Sequence, residues 1–470
     1  MTRNLFVHDM KKWQTNCRSH EIDHAQVHEY ENALILPLRQ KPEFNTPDGV
    51  YEGGVCSEDF TFIAGRRRRF KAEHANWDCD SSYKVEDDDI VSRNETVIFG
   101  GCIINHFGHA LLDGTARMWY LPDAPSGMKI VFLRYPRSTN TPFDALRFVE
   151  LMGIDMSRVE IIDRPTKFDR VIVPDEAIYP MDAYRAEYVK TFDAIRDNIK
   201  PMEDKKIYLS RSHFHYRMSL NETYYEDFFS RRGFTIIYPE TLPLEEQIAY
   251  IAGADEVVTT MGSMAHLLLF AKSTAKATIL NRSTQCLPAQ VIVGQARGIE
   301  SFYVDAFLNP LPVPHVNGPF LFGPNRFFRD YLEERNIAFE DQELQVDFSS
   351  MNEMGITFME EWNKMYKMYM GKAQSKLSVF TEKDVRYYAD DYAAYVGQMV
   401  SLAARGLLVK HPAHGRIERL KTENKKLSEK RKKLEADLKK SRAEVQKLRN
   451  SKSWKVTAPL RAVMRLFGKD

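Results

Sequence analysis

Between residues 206 and 281 short apolar runs alternate with helix-length segments, and this alternation restricts the fold more than any other feature of the sequence. The series begins at 206–211, with further strands read at 234–238, 256–260 and 277–280 and helices at 222–231, 244–252 and 264–271, the last opened by a Gly262-Ser263 turn. Apolar runs without polar alternation suit strands buried on both faces, and a helix between successive runs makes them parallel. The pattern predicts a doubly wound parallel sheet. A looser series precedes it, with strands at 97–99, 129–133, 159–162 and 170–173 and a helix at 110–121, and a helical stretch at 183–200 separates the two. The expected fold is therefore α/β, with two Rossmann-like domains facing a cleft. Residues 1–95 mix short apolar runs with Gly and Asp and read as short strands and turns.

At 470 residues the chain exceeds one ordinary core, and 43% hydrophobic and 12% aromatic content is globular usage. The expected division is an N-terminal α/β domain at 1–200, with a β-rich lead-in, and a Rossmann-like domain at 201–310. A connecting segment with helices at 311–415, a coiled coil at 416–450 and a basic amphipathic tail at 451–470 follow. Met365, Tyr366, Met368, Tyr369 and Met370 read as helix packing rather than a ligand site.

Charge is unevenly spread. Residues 416–450 hold 14 Lys and Arg against 6 Asp and Glu, and 451–470 hold 5 against 1, so the ends carry +12 of a chain total of +1. The remaining body is acidic by about 11 charges, which gives no support to nucleic-acid binding. Ile417, Leu420, Asn424, Leu427, Arg431, Leu434, Leu438, Ser441, Val445 and Leu448 keep a 3,4 spacing, the seam of a coiled coil. Asn424 in the seam favours a parallel homodimer, whereas Arg431 and Ser441 weaken it, and a solvated single helix is the alternative. The tail around Trp454, Pro459 and Phe467 mixes basic and apolar residues, a composition that suits an anionic membrane surface, a docking partner or an unstructured end.

Cys17, Cys56, Cys79, Cys102 and Cys286 are scattered and odd in number, so neither a disulfide framework nor a zinc site is expected. No run approaches the ~20 apolar residues that span a bilayer, and the first ten residues have no signal-peptide core. The expected compartment is the cytoplasm, with any contact at the inner face of the membrane peripheral.

The densest polar cluster in an apolar setting is Asn105-His106-Phe107-Gly108-His109-Ala110-Leu111-Leu112-Asp113. On a helix, His109 and Asp113 lie one turn apart on one face, where the carboxylate fixes the imidazole tautomer and raises its basicity. That is the arrangement of a general base, and His106 at the helix entrance is close enough to share the site. The same spacing also suits a purely structural pair, or a metal site in a hydrolase built on His106, His109 and Asp113. In the second half Arg211, Arg217, Asn221 and Glu222 follow a strand, and Gly262-Ser263 opens a helix, where backbone amides helped by an Arg suit a diphosphate.

From Gly100-Gly101 through the His-rich cluster to Ala116-Arg117-Met118-Trp119, the sequence resembles the first block of glycosyltransferase family 61, a family that includes bacterial capsular polysaccharide biosynthesis proteins. Ile207-Tyr208-Leu209-Ser210-Arg211, Arg217, Asn221-Glu222, Gly233-Phe234, Pro239-Glu240, Glu246-Gln247-Ile248, Ala254 and Gly262-Ser263 resemble its second half in order and spacing, so the resemblance spans about residues 95–285. It implies a GT-B fold and metal-independent, inverting transfer from a nucleotide sugar, expected to be UDP-linked, to a glycan acceptor that includes lipid-linked ones. On that basis His109, Asp113 and His106 are expected to be catalytic, with no metal or other cofactor. Ser210, Arg211, Arg217, Glu240, Gln247, Gly262, Ser263 and His266 are expected on the donor side, and Asn105 and Arg117 on the acceptor side. The sequence departs from the family pattern at Ala110, where a bulky aromatic is common, and at His266, where Asn is frequent, which bears on the acceptor pocket. The stretch 451–461 resembles a tail found on many bacterial surface-polysaccharide glycosyltransferases.

Two further readings stand beside this one. Asp78-Cys79-Asp80 with Asp87-Asp88-Asp89 would suit a manganese-dependent GT-A enzyme, although acidic surface loops are common. A non-catalytic scaffold tethered by its coiled coil is the other, against which intact His109, Asp113 and Arg211 argue.

Overall fold

A computed structural model of the chain describes residues 4–17, 19–41, 51–65, 79, 81–135, 143–180, 182–214, 219–309, 313, 318–346, 353–362 and 429–430. The chain divides into two compact units, Met1–Gly397 and Gln398–Asp470. Of the second only Glu429 and Lys430, both helical, are described, so the coiled-coil and tail expectations lie outside the described residues, as do Met365 to Met370.

The second series folds much as its pattern predicts. Strands Lys206–Leu209, Thr235–Ile237, Glu256–Thr260, Lys276–Asn281 and Glu300–Asp305 pair in parallel. Alternate residues point to opposite faces and both faces are buried: Ile207, Val257 and Ile279 join one core cluster, and Tyr208, Val258 and Leu280 join another. That is why these strands read as unbroken apolar runs. The outer face is covered by the helices Thr223–Ser230 and Arg326–Glu334, through Tyr225, Phe228, Phe229, Phe328 and Tyr331. Leu5–Phe6 at the start of the chain adds a sixth parallel strand beside Glu300–Asp305.

The first half departs from a Rossmann-like expectation. Its seven strands run in the spatial order Phe62–Ala64, Tyr51–Cys56, Val27–Gln40, Thr166–Pro174, Val91–Ile103, Lys129–Arg134, Val159–Ile161. The last four pair in parallel, but the 14-residue strand Val27–Gln40 is antiparallel to both its neighbours, so the sheet is mixed. Residues 1–95 thus supply long strands as well as short ones. Between the two sheets lies one continuous apolar core, to which Ile98, Ile130, Phe132 and Ile172 contribute from the first sheet and Ile207, Ile237, Val257 and Ile279 from the second. The halves therefore meet through packed side chains rather than across an open gap.

Two further expectations are corrected. Cys17 and Cys286, 269 residues apart in sequence, form a disulfide with Cα atoms 6.8 Å apart, which ties the N-terminal helix Met10–Asn16 to the loop after Lys276–Asn281. Cys56, Cys79 and Cys102 are buried and not part of that bond. The helix expected at 110–121 is instead the short helix Phe107–Leu111 followed by the 3-10 turns Asp113–Thr115 and Met118–Asp123. Among the described residues no helix is long and apolar enough to cross a membrane.

Candidate active site

From residue 206 onward, strand order across the second sheet is second, first, third, fourth, fifth, so chain direction across the sheet reverses between Lys206–Leu209 and Glu256–Thr260. Open α/β sheets bind ligands at the carboxyl ends of the strands on either side of such a switch. Leu209 pairs with Thr259 and Thr260 with Leu280, so two residues further on Arg211 is in step with Met261 and Gly262 with Arg282, and both arginine side chains reach Gly262. Gly262 has φ +140°, and a Cβ there would lie 3.1 Å from Arg211 Nη1 and 3.2 Å from Arg282 Nη2. Glycine is required on both counts: the backbone is in a region that L side chains avoid, and a methyl group would displace two guanidiniums.

Behind these cations sits Glu222. Asn221, at φ +61°, turns the chain into the helix Thr223–Ser230 and donates from Nδ2 to Phe322 O at 3.0 Å. That turn delivers the Glu222 carboxylate to the Arg211 backbone amide, which donates to Oε1 at 3.0 Å. Burial pushes the Glu222 carboxyl up to about 7, even though the Arg211 amide and the Arg211 and Arg282 charges pull the other way, and nearby Glu226 adds to the rise. Ser210 is fully buried and donates to Glu226 Oε1 at 2.5 Å, while Tyr238 donates to Glu226 Oε2 at 3.1 Å. Ser210 therefore shapes the strand end rather than the surface of the cleft.

A cleft of about 260 Å³ opens at this point, walled from the second half by Arg211, Phe214, Glu240, Gln247, Ser263 and Met264 and from the first half by His106, Phe107 and Gly108. Arg211 lies over the Phe214 ring, its Cζ 5.0 Å from the centroid. Gln247 donates from Nε2 to Leu242 O at 2.9 Å, which anchors it at the start of its helix. The amide of Gly262, expected to face a phosphate, donates to Gln290 Oε1 at 3.1 Å.

The first half reaches this cleft through one close contact. A Cβ on Gly108 would lie 2.6 Å from Ser263 Oγ and 2.9 Å from Ser263 Cβ, with His266 Cδ2 at 3.7 Å. His266 is buried, and burial with His106 alongside pushes its imidazole down to about 4, so it is neutral near pH 7. His106 stands on the cleft wall, and His109 packs against it with ring centroids 4.8 Å apart. His109 Nδ1 is 3.2 Å from Asp113 Oδ1, with 22% of the His109 side chain exposed against 3% for Asp113. The expected pair forms, although not within one helix. Leu112, at φ −93° and ψ −89°, breaks the helix, and the Leu111 carbonyl accepts instead from Tyr188 Oη at 2.7 Å and Thr115 Oγ1 at 2.9 Å.

The two acceptor-side expectations are placed differently. Arg117 is buried, hydrogen-bonded to the carbonyls of Pro174 and Gly65 and 3.6 Å from Glu176, a set of contacts that knits the first sheet together. Asn105 accepts from the Ala145 amide at 3.4 Å. Arg217 lies outside the described residues, as do Asp78 and Asp80 of the acidic string, whereas Asp87–Asp89 form an exposed 3-10 turn. Among the described residues no group of three or more His, Cys, Asp or Glu side chains is placed to hold a metal ion.

Residues 107–278, which run from the His-bearing helix to the fourth strand of the second series, match the family model Glycosyltransferase 61. The chain carries a family 61 glycosyltransferase domain. A comparison with curated proteins returns no match. In this transferase the matched span takes in parts of both walls of the cleft, Phe107 and Gly108 on one side and Arg211 to Leu267 on the other, while His106 lies one residue before it. Arg282 falls just beyond it and carries no motif signal, since Asn281-Arg282-Ser283-Thr284 reads as an ordinary polar strand end. Only strand register sets it against Gly262. Phe214 was likewise unmarked, and its 37% exposure beside Arg211 is the one trace of a surface role.

Proposed function

We propose that this glycosyltransferase moves a sugar, with inversion and without a resident metal, from a nucleoside-diphosphate donor to a hydroxyl of a surface polysaccharide or related glycan. What supports the reading is that His106, packed against the carboxylate-paired His109, lines the same cleft as Arg211 at the switch point of a parallel sheet, where Gly108 closely approaches Ser263. With Nδ1–H donated to Asp113, the lone pair of His109 sits on Nε2, the form that accepts a proton. The acceptor oxygen attacks the anomeric carbon, its proton passes to His109 Nε2, and the bond from that carbon to the phosphate oxygen breaks on the opposite face. The nucleoside diphosphate leaves with the electron pair. Arg211, joined by Arg217, stabilises the charge that develops there, a contribution worth several kcal/mol in sites that exclude water. Glu240 and Gln247 line the part of the cleft left for the nucleoside. The heptads at 417–448 are read as a dimer-forming coiled coil, which sedimentation of the full chain tests.

A thermal-shift screen of nucleotide sugars, UDP-linked ones included, identifies the donor, because a ligand of the folded state alone raises the melting temperature by mass action. With that donor, His109→Ala is expected to lower kcat by at least a hundredfold while donor affinity stays within about threefold. Arg211→Ala is expected to weaken nucleoside-diphosphate binding instead. Retention of most turnover by His109→Ala would remove the imidazole from the mechanism, and loss of activity on chelation would overturn the metal-free reading.

A further inference from the structure

We propose that Arg282 is the second guanidinium of the diphosphate site, a positioning residue that acts on the leaving group from beneath Gly262. The inference rests on the diphosphate reading above and adds a residue that no motif marked.

Strand register carries the first step. Thr260 pairs with Leu280, and two positions further along each chain stand Gly262 and Arg282, so the guanidinium lies beside Gly262, next to the cleft residue Ser263. Arg282 Nη2 and Arg211 Nη1 approach the same point, the empty Cβ position of Gly262, at 3.2 and 3.1 Å. Two like charges held this close repel unless a negative charge joins them. Glu222 supplies part of that charge in the resting protein, since it is buried and interacts with both arginines. A diphosphate entering the cleft would supply the rest.

The second step is rigidity. Arg282 is 2% exposed, its Cζ lies 4.3 Å from the Phe320 ring centroid, and its carbonyl accepts from Asn309 Nδ2 at 2.8 Å. Asn309 in turn accepts from the Leu321 amide at 2.7 Å, which fixes the segment carrying Phe320. A guanidinium held this way loses little side-chain entropy when an anion arrives, and its charge acts through a poorly screened interior. A spacer of the same volume would have been apolar, because burying a guanidinium costs several kcal/mol unless its charge is used.

The third step is charge balance. The groups that face this cluster are Arg211 and Arg282 on one side and Glu222 and Glu226 on the other, with Tyr208 and Tyr238 as neutral hydroxyl donors to the carboxylates. Glu222 is only partly ionised near neutral pH, so it neutralises the two guanidiniums only in part.

The test uses the full chain and inorganic pyrophosphate, which reports the phosphate site without knowledge of the base. Pyrophosphate affinity is measured by calorimetry for the wild type, Arg211→Ala, Arg282→Met and Arg282→Lys, with circular dichroism and melting as the fold check. Arg282→Met is expected to bind at least tenfold more weakly, with KM for the donor raised and kcat lowered. Arg282→Lys, which keeps the charge but not the planar fork, is expected to lose about threefold to tenfold. A merely structural role would lower the melting temperature and leave the affinity of the folded fraction unchanged. Should Arg282→Met fail to fold, Arg282→Lys decides, and wild-type affinity in either folded variant overturns the proposal. Loss of binding in Arg211→Ala with no loss in the Arg282 variants sinks this inference and leaves the donor reading intact. A wild type that binds no pyrophosphate at millimolar concentration sinks both.

Discussion

The close approach of Gly108 to Ser263 holds the His106 wall of the cleft against the Arg211 wall, and Gly108→Ala tests whether that spacing serves the proposed reaction. The new methyl would sit 2.6 Å from Ser263 Oγ and 2.9 Å from Ser263 Cβ, where ordinary contacts begin at 3.4 Å, so the helix Phe107–Leu111 must retreat by about 0.5–0.8 Å. Rotation of the Ser263 hydroxyl relieves the first clash but not the second, because Cβ is fixed to the backbone. Overpacking of this kind costs about 1–3 kcal/mol, while Gly to Ala within a helix returns about 1 kcal/mol, so net destabilisation should be about 0–2 kcal/mol. Catalysis should suffer more than stability, since a displacement of about 1 Å at a reacting group costs on the order of a hundredfold. The expected result is a tenfold to hundredfold fall in kcat under saturating donor, with a nearly unchanged denaturation midpoint. In a Ser263→Gly background the obstruction is gone, and Gly108→Ala should then change kcat by less than threefold relative to Ser263→Gly alone. A double-mutant cycle isolates this coupling. Full turnover in the single variant, together with a raised midpoint from the added alanine, would mean that the halves do not touch there and that the site's geometry has another origin.

Two buried groups give opposite pH slopes. Glu222 is raised to about 7 from an ordinary carboxyl value, so its contribution to stability is fully present below the unfolded pKa and is lost as pH rises through about 7; Glu222→Gln should therefore gain on the wild type between pH 5 and pH 8 in denaturation midpoint. His266 is lowered to about 4 from 6.5, so the unfolded chain binds the proton more tightly and stability rises with pH across that window; His266→Asn should flatten this rise, and an unchanged slope would refute the burial assigned to it. The windows overlap between about pH 4.5 and 6.5, where the two slopes oppose each other in the wild type, which makes the single variants the informative measurement. The Cys17–Cys286 bond closes a loop of 269 residues, and Cys286→Ser is expected to cost about 2–4 kcal/mol in non-reducing denaturation, with no difference from the wild type once reductant is added.

The parts of the fold that could be read from sequence are those written in local pattern. Val257 and Val258 face opposite apolar layers, and the strand expected at 256–260 is the strand observed. Leu5–Phe6 could not be read in this way, since a two-residue strand has no period and its partner, Glu300–Asp305, lies almost 300 residues away. The helix expected at 110–121 failed for a traceable reason: its apolar spacing is helical, but the hydroxyls of Tyr188 and Thr115 capture the Leu111 carbonyl and let the chain turn at Leu112. The His109–Asp113 pair survives that turn because both side chains still project to the same side. For the site, motif residues gave Arg211, Gly262 and the imidazoles, whereas Arg282 and the Cys17–Cys286 bond depend on strand register and long-range closure, which a single sequence does not display.

The shared core between the sheets determines how the two sides of the reaction are brought together. In an enzyme whose lobes meet only through a ligand, part of the binding energy is consumed in closing them, and the catalytic distance exists only in the closed state. Here Ile98, Phe132, Ile207 and Ile279 belong to one apolar cluster, and Gly108 lies close against Ser263. Opening the halves would expose that cluster, at about 25 cal/mol for each Å² of apolar surface, so wide separation is unfavourable without any ligand to oppose it. On the proposed function, the placing of His106 and its neighbour His109 relative to Arg211 follows from packing, and a donor would need only to fill the cleft. It follows that substitutions in the shared core far from the cleft, such as Phe132→Ala, should lower kcat by shifting that spacing even where the folded population is preserved, whereas equal truncations in the outer layer, such as Phe328→Ala, should lower stability and leave the kcat of the folded fraction alone.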